Sequence, residues 1–400
     1  MRKYTLLLII FLVIFISGCT SKLYSNKEIN HTEKTVLEET SNLEDIQDQK
    51  AALSSDSISG STDTNGDSIT KIEASVGTDI SSSITPDNFK QANVLDYSNV
   101  KPDESGQIMV VMFHNFVETY QSGDKAYTTT FSEFEKLLQD LYDRKYRLIS
   151  LTDMLNNNID VPAGCIPMVF TFDDGTVGEF NLIEKEGTLI ANPRSAVGIM
   201  EAFNKKYPDF GLNGTFFVNL GVKTTFKGAG TMSERLKYLI DKGFEIGNHT
   251  KTHVSLPGVK TIQKMLEEVG GNQKLMNEYV PGYAFNSFSL PFGSASKNLK
   301  EYVIQGNYEG TEYKHSAIML VGANPAPSPV SIKFDPLAIP RVRATGITKV
   351  ECDLAWWLDA LSKGNSQYVS DGDANFITIP HQKKQNVDMA KLNGKQLVTY

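Results

Sequence analysis

The chain predicts an α/β domain of about seven parallel strands, preceded by a disordered stalk. Three observations carry that expectation. Short apolar runs recur through the last part of the chain, helical patterns stand between several of them, and a polar, serine-rich tract fills the chain before them. Strands that alternate with helices pair in parallel, because a parallel neighbour needs a crossover. Periodicity alone does not decide whether the sheet stays open or closes into a barrel.

The start of the chain, MRKYTLLLIIFLVIFISGCT, sets basic residues before an apolar run and small residues after it. That is the layout of a secretory signal. The run Leu6 to Ile16 is short for a membrane span, which takes about 20 residues. The tail ISGC resembles the lipobox of bacterial lipoproteins, with isoleucine where leucine is commoner. The resemblance implies a signal peptide over 1–18, cleavage before Cys19 and diacylglycerol on the Cys19 thiol. The protein is then extracytoplasmic and held to the cell membrane by its lipid. An uncleaved signal anchor is the rival reading, and it also leaves the rest of the chain outside the cytoplasm.

Residues 19–100 read as the stalk. The sample SSDSISGSTDTNGDSITKIEASVGTDISSS is polar and lacks aromatic residues, so it cannot bury enough surface to fold by itself. A weak helix around EETSNLEDIQDQKAAL stays open. Residues 101–400 read as one catalytic domain, long enough for a single large core. The formal charge is −8, and no basic patch with interleaved aromatics occurs; nucleic acid is excluded as a partner. Cys165 and Cys352 sit in apolar surroundings, GCIPMVF and ECDLAWW. They read as buried thiols rather than a disulfide framework, and a single bridge between them stays open.

The expected strands are QIMVVMF, CIPMVFTF, NGTFFVN, GFEIG, YAFNSF, HSAIML and NFITI. TTTFSEFEKLLQDLYDRKY and TMSERLKYLIDKG have apolar residues at helical spacing behind a threonine start. TIQKMLEEVGGNQKLMNEYV reads as a helix with a glycine interruption. NPRSAVGIMEAFNKKYPDF reads as partly helical, inside an insertion that shapes a cleft.

In such folds active sites form where strands end, and several runs end in reactive side chains. VFTFDDGT runs into Asp173 and Asp174, QIMVVMFHNF into His114, YAFNSFSLPFG into Pro291 and Gly293, and NFITIPHQ into His381. EIGNHTKTH brings His249 and His253. Side chains four apart lie about 6 Å apart on a helical turn but about 13 Å apart on a strand. Sharing one ion therefore needs a turn here, which Gly247 and Asn248 permit. Two histidines do not complete a zinc site, and a polar loop with unrelated histidines fits this stretch as well. Yet four of the six histidines stand just past apolar runs. One Asp and two His suit a zinc-like ion with open positions. A second carboxylate can act as base and a third histidine as acid, a set that suits hydrolysis of an amide or ester.

At these residues the chain resembles the polysaccharide deacetylases with a NodB homology domain, also called carbohydrate esterase family 4. TFDDG stands at Thr171 to Gly175, and HTKTH follows about 75 residues later. The resemblance covers roughly residues 105–385. It implies an irregular (β/α) barrel, Asp173 as catalytic base, and Asp174, His249 and His253 as ligands of one divalent ion, Zn2+ first, with Co2+ or Ni2+ as substitutes. The third family motif reads SLPFG here, with Ser289 where the family has arginine. It implies Phe292, with Pro291, on the oxyanion and substrate side, where His114 also falls. CDLAWW, with Asp353 and Trp357, matches the fourth motif in part; ITIPH matches the fifth loosely and puts His381 in the acid role. Arg341 and Arg343 in IPRVRATG are the candidates to replace the missing arginine, Arg341 first because it directly follows Pro340.

The implied function is removal of N-acetyl groups from a cell-envelope or extracellular glycan by metal-activated water, releasing acetate. An O-acetyl esterase and an inactive carbohydrate-binding module on the same fold are the alternatives. DGDANF lacks the remaining ligands of a calcium loop, the glycines around 221–230 do not follow phosphate-loop spacing, and no GxSxG serine elbow occurs.

Overall fold

Runs that are apolar on both faces become the central strands, as expected where helices cover a parallel sheet. The computed structural model describes residues 99–121, 126–346 and 350–400. The signal peptide, Cys19 and nearly all of the stalk lie outside the described residues. Eight strands form one sheet: β1 Met109–Phe113, β2 Tyr146–Leu148, β3 Ile166–Asp174, β4 Thr215–Val218, β5 Glu245–Asn248, β6 Ser287–Ser289, β7 Ala317–Met319 and β8 Val342–Arg343. Seven of them run in the order β7-β6-β5-β4-β3-β1-β8, and β2 pairs with the first part of β3. All these pairings are parallel.

The sheet curls into a half-barrel because one segment touches both of its edges. Leu320 N–H donates to Ile339 O at 2.9 Å beside β7. Three residues later Val342 pairs with Val111 of β1. Arg341 sits between these two contacts, where its side chain has only the barrel interior to enter, and it is fully buried.

The helices pack outside: α1 Phe131–Asp143, α2 Ala196–Lys206, α3 Met232–Asp241, α4 Ile262–Tyr279 and α5 Leu354–Gly364. In α1, Phe134, Leu138 and Leu141 recur every three or four residues and are buried, the spacing of one helical face. Its start is a capping box: Glu133 N–H donates to Thr130 Oγ1 at 3.2 Å, and Thr130 N–H to Glu133 Oε2 at 2.9 Å. Phenylalanines fill the space behind the sheet, with Phe172 stacked on Phe216 at 4.5 Å.

Two expectations need correction, and two further features of the chain are settled. NFITI does form a strand, β9 Phe376–Ile379, but among the described residues it pairs with β10 Gln396–Thr399 and not with the barrel. It docks beside the residues that precede β1, where Glu104 N–H donates to Thr378 O at 3.1 Å. Helix α4 runs unbroken through Gly270 and Gly271. A Cβ on Gly270 would stand 2.6 Å from Tyr308 Cβ, so that glycine serves a close approach of the hairpin Gln305–Tyr308/Thr311–Lys314 rather than a break. The insertion after DDG contains a hairpin, Leu182–Lys185 with Thr188–Ala191, before α2. Cys165 is a free, buried thiol, so no bridge to Cys352 forms. Among the described residues no helix is long and apolar enough to cross a membrane.

Candidate metal centre

Successive strand residues point to opposite faces, yet Asp173 and Asp174 serve one crevice at the end of β3. Asp174 has φ 80°, in the left-handed region, which turns its carboxylate back towards the mouth while Asp173 points inward. His249 follows β5 directly. Thr250 (φ 65°) and His253 (φ 58°) are left-handed as well, and this reverses the chain so that the second imidazole returns beside the first. The two rings lie 4.9 Å apart. The turn that the HTKTH spacing demands is therefore formed, by Thr250 and His253 rather than by Gly247 and Asn248, which lie in β5.

Asp174 Oδ1 lies 3.5 Å from His249 Nε2 and 3.3 Å from His253 Nε2. One donor atom from each of the three residues falls within 4.8 Å of the others. Around a tetrahedral zinc-like ion with bonds of about 2.1 Å, neighbouring ligands stand about 3.4 Å apart. Asp174 Oδ1 is buried and has no hydrogen-bond partner among the described residues, a costly state for a carboxylate oxygen unless a cation meets it. His249 Nδ1 lies 2.8 Å from the Ser289 carbonyl, which only accepts. Nδ1 therefore carries the proton and Nε2 offers its lone pair to the cluster. The donor set fits a divalent ion.

Asp173 is held differently. Arg341 grips it with both ends of its guanidinium, Nη1 to Oδ1 and Nη2 to Oδ2, each at 2.7 Å. Ser289 Oγ donates to Oδ2 at 3.1 Å and accepts from Arg341 Nη2 at 2.9 Å. Arg341 is steadied in turn by the Leu320 carbonyl at 2.8 Å and Thr171 Oγ1 at 3.2 Å. Burial pushes the Asp173 carboxyl up, but the Arg341 charge, with His249 and His114, outweighs it and holds the group well below the usual carboxylate range. The guanidinium that SLPFG lacks thus reaches Asp173 from Arg341. Arg343 turns to Asp353 at 3.0 Å and stands 5.1 Å over the Tyr127 ring.

His114 comes from the end of β1. Its Nε2 is 4.0 Å from Asp173 Oδ2, too long for a hydrogen bond. Its ring packs 5.0 Å from Tyr127, and its Nδ1 is buried without a partner among the described residues. Burial lowers its pKa against the pull of Asp173 and Asp174. Pro291 is buried and opens the turn Pro291–Gly293; Phe292 (φ 58°) is exposed and sets its ring 4.8 Å from His253. Behind the crevice Glu179 is fully buried; burial, then Asp174 and Asp173, push its carboxyl well above the ordinary range.

His381 is not brought here. It is exposed, opens the short helix after β9, and its N–H donates to Tyr400 O at 2.9 Å. β9 packs by the residues that precede β1, whereas the crevice lies where β1 ends. The acid role that ITIPH suggests therefore has no support in the position of His381. The strand was legible, but its place in the fold was not. Sequence reading also passed over Thr171. Its position two before Asp173 on one strand puts both side chains on the same face, a signal that was available.

The polysaccharide deacetylase family matches residues 160–310. That span contains Asp173, Asp174, His249, His253 and SLPFG.

The chain has the NodB-homology fold of the polysaccharide deacetylases.

With its Asp–His–His cluster, it is a metal-dependent hydrolase of the deacetylase or esterase type. His114 and Arg341 lie outside the matched span, on either side of it. No curated protein matches the chain in sequence. Among solved structures, a polysaccharide deacetylase from Bacillus cereus is similar at 17% identity, covering 64% of this chain and 69% of that one with a TM-score of 0.46. A putative polysaccharide deacetylase from Bacillus anthracis is similar at 18% identity, over 62% and 67%, with a TM-score of 0.45. A deacetylase from Streptococcus pyogenes, solved in complex with acetate, is similar at 16% identity, over 60% and 92%, with a TM-score of 0.44.

Proposed function

We propose that this hydrolase removes N-acetyl groups from a glycan outside the cytoplasm, with Asp174, His249 and His253 holding one zinc ion. The observation that carries the reading is the Asp173 carboxylate, ionised and fixed by Arg341 beside an Asp–His–His cluster whose own carboxylate oxygen has no hydrogen-bond partner among the described residues. Two imidazoles and a carboxylate suit zinc, and cobalt or nickel accept the same donors. When bound, the ion supplies Lewis-acid polarisation and a more acidic water.

The residues of the chain account for the proton traffic. A carboxylate has about four lone-pair sites, and Asp173 spends three of them on Arg341 and Ser289. One remains, and Asp173 uses it to take a proton from the attacking water. The hydroxyl part of that water joins the acetyl carbon, and the C–N bond breaks. The proton that Asp173 has taken leaves on the departing sugar nitrogen, with His114 Nε2, 4.0 Å from Asp173 Oδ2, placed to carry it across. Phe292 N–H, in the exposed turn after β6, is the donor assigned to the oxyanion. A cleft of about 350 Å3, lined by Asp174, Thr176, Val177, Asn219, Thr224 and His253, opens beside the cluster. Its walls are neutral and short-chained apart from the ligands, which suits an uncharged sugar.

Residues 1–18 act as a lipoprotein signal, Cys19 carries the lipid, 19–100 serve as the stalk and 101–400 as the catalytic domain. This arrangement favours glycans of the cell envelope. Acetate release from matched N-acetylated and O-acetylated oligosaccharides tests the proposal. Release from N-acetylglucosamine oligomers is expected. Release from acetylated xylan alone would replace the amide reading with an esterase.

A further inference from the structure

We infer that Glu268 and Asn272, on helix α4, are positioning residues that set the affinity of the Asp174–His249–His253 centre for its ion. The inference rests on the metal reading above and adds residues that touch neither ion nor substrate.

The starting observation is strain. Thr250 and His253 both hold positive φ, a region costly for residues with a Cβ and worse for a β-branched one. Such conformations persist only where the surroundings over-determine them. Here the surroundings are buried polar side chains. Asn219 Nδ2 donates to His249 O, and to Thr250 O at 2.9 Å. Asn248 Oδ1 accepts from Thr250 N–H at 3.0 Å. Asn272 fixes Asn248: its Nδ2 donates to Asn248 Oδ1 at 2.9 Å and to Val218 O at 2.8 Å, while its Oδ1 accepts from Leu220 N–H at 2.9 Å.

Glu268 fixes the other half of the loop. Its carboxylate accepts from Thr252 N–H at 3.1 Å and from Thr252 Oγ1 at 2.9 and 3.0 Å. Its own carbonyl accepts from Lys251 N–H at 2.7 Å. Lys264 Nζ balances the charge at 2.9 Å. Glu268 and Asn272 are both fully buried and stand one helical turn apart, so one face of α4 grips the loop at Asn248 and at Thr252. Apart from the Lys264 ion pair, the side-chain contacts of these two residues lead to the loop or to the end of β4 beneath it.

A clamp of this kind lowers the ordering cost of metal binding, so its loss weakens the ion rather than the chemistry. Replacing supporting partners of metal ligands typically costs about 10–100-fold in affinity. Glu268→Gln and Asn272→Asp keep side-chain size. Each is expected to raise the zinc dissociation constant, measured by chelator competition, by about that factor. In the metal-free variants the Thr250 and Thr252 amides should exchange faster. Thr252→Val should weaken zinc as Glu268→Gln does, and the double variant should be no worse than the poorer single one. Leu138→Ala in α1 lowers general stability and should leave the zinc constant unchanged. Zinc affinity within about twofold of the parent in both α4 variants overturns the inference, as does an equal loss in Leu138→Ala. A parent protein that binds no zinc removes the metal reading itself, and is told apart because it needs no variant.

Discussion

Replacing Arg341 by methionine keeps much of the side chain's length and removes the cation that faces Asp173. The two side chains are 0% and 1% exposed, so no water stands ready to take the place of the guanidinium. Breaking a buried ion pair by deleting one partner costs about 3–5 kcal/mol, because the other charge is left uncompensated. In a domain of this size that corresponds to a melting point lower by about 10 °C. The sign of the pH effect follows from Asp173. Arg341 depresses its folded-state pKa, so its contribution is present above the unfolded carboxylate value of about 4 and fades as pH falls through the folded value. In Arg341→Met only His249, His114 and the Ser289 hydroxyl still oppose burial, and the carboxyl rises. The stability gap between variant and parent should be widest at neutral pH and should narrow on acidification, as the stranded carboxylate takes up a proton. Urea unfolding of both proteins at pH 7 and pH 5 measures the gap. In an Asp173→Asn background the same substitution should cost less, giving a coupling energy of about 1–3 kcal/mol. A gap below about 1 kcal/mol at pH 7, or one that does not narrow, would refute the reasoning. Turnover should fall together with stability, since the base loses both its charge state and its orientation.

Three further outcomes are expected. His114→Gln should lower turnover by about 100- to 10,000-fold while His381→Gln leaves it near the parent value; the reverse order would return the acid role to His381. Asp173→Asn should keep its metal by elemental analysis and lose most of its rate, whereas Asp174→Asn should lose the metal first; if both retain full metal, Asp174 is not a ligand. Cys19→Ser should move the protein from the membrane pellet to the supernatant, and unchanged pelleting would count against the lipid anchor.

The parts of the site that were legible in the chain are those made by neighbours in sequence. TFDDG and HTKTH each put their reactive groups within a few residues, so strand and turn geometry could be read for each; that they share one ion came with the family resemblance. Arg341 could be nominated because it directly follows Pro340 at the end of the short apolar run PLAI. Its contact with Asp173 depends on the segment bridging both sheet edges, which no local pattern records. The sequence put His381 in the acid role and His114 on the substrate side, and where each histidine stands in the fold could not be read locally either. Both follow apolar strands, but β1 pairs in the barrel and β9 pairs beside it, and pairing is a long-range property. β2 and β8 were missed because Tyr146–Leu148 and Val342–Arg343 are short and carry arginines, too little sequence for alternation to show. Glu268 and Asn272 read as ordinary polar residues of a surface helix; only the fold reveals that their face is turned inward.

In the proposed reaction Asp174, His249 and His253 hold one ion on which hydrolysis depends. Metal-stripped protein titrated with zinc, with acetate release from N-acetylglucosamine oligomers followed at each addition, tests it most directly. Release should be negligible at the start, rise linearly to a break at about one equivalent per chain, and stay flat in His253→Ala. Full acetate release by the metal-free protein, or an unchanged titration in His253→Ala, would contradict it.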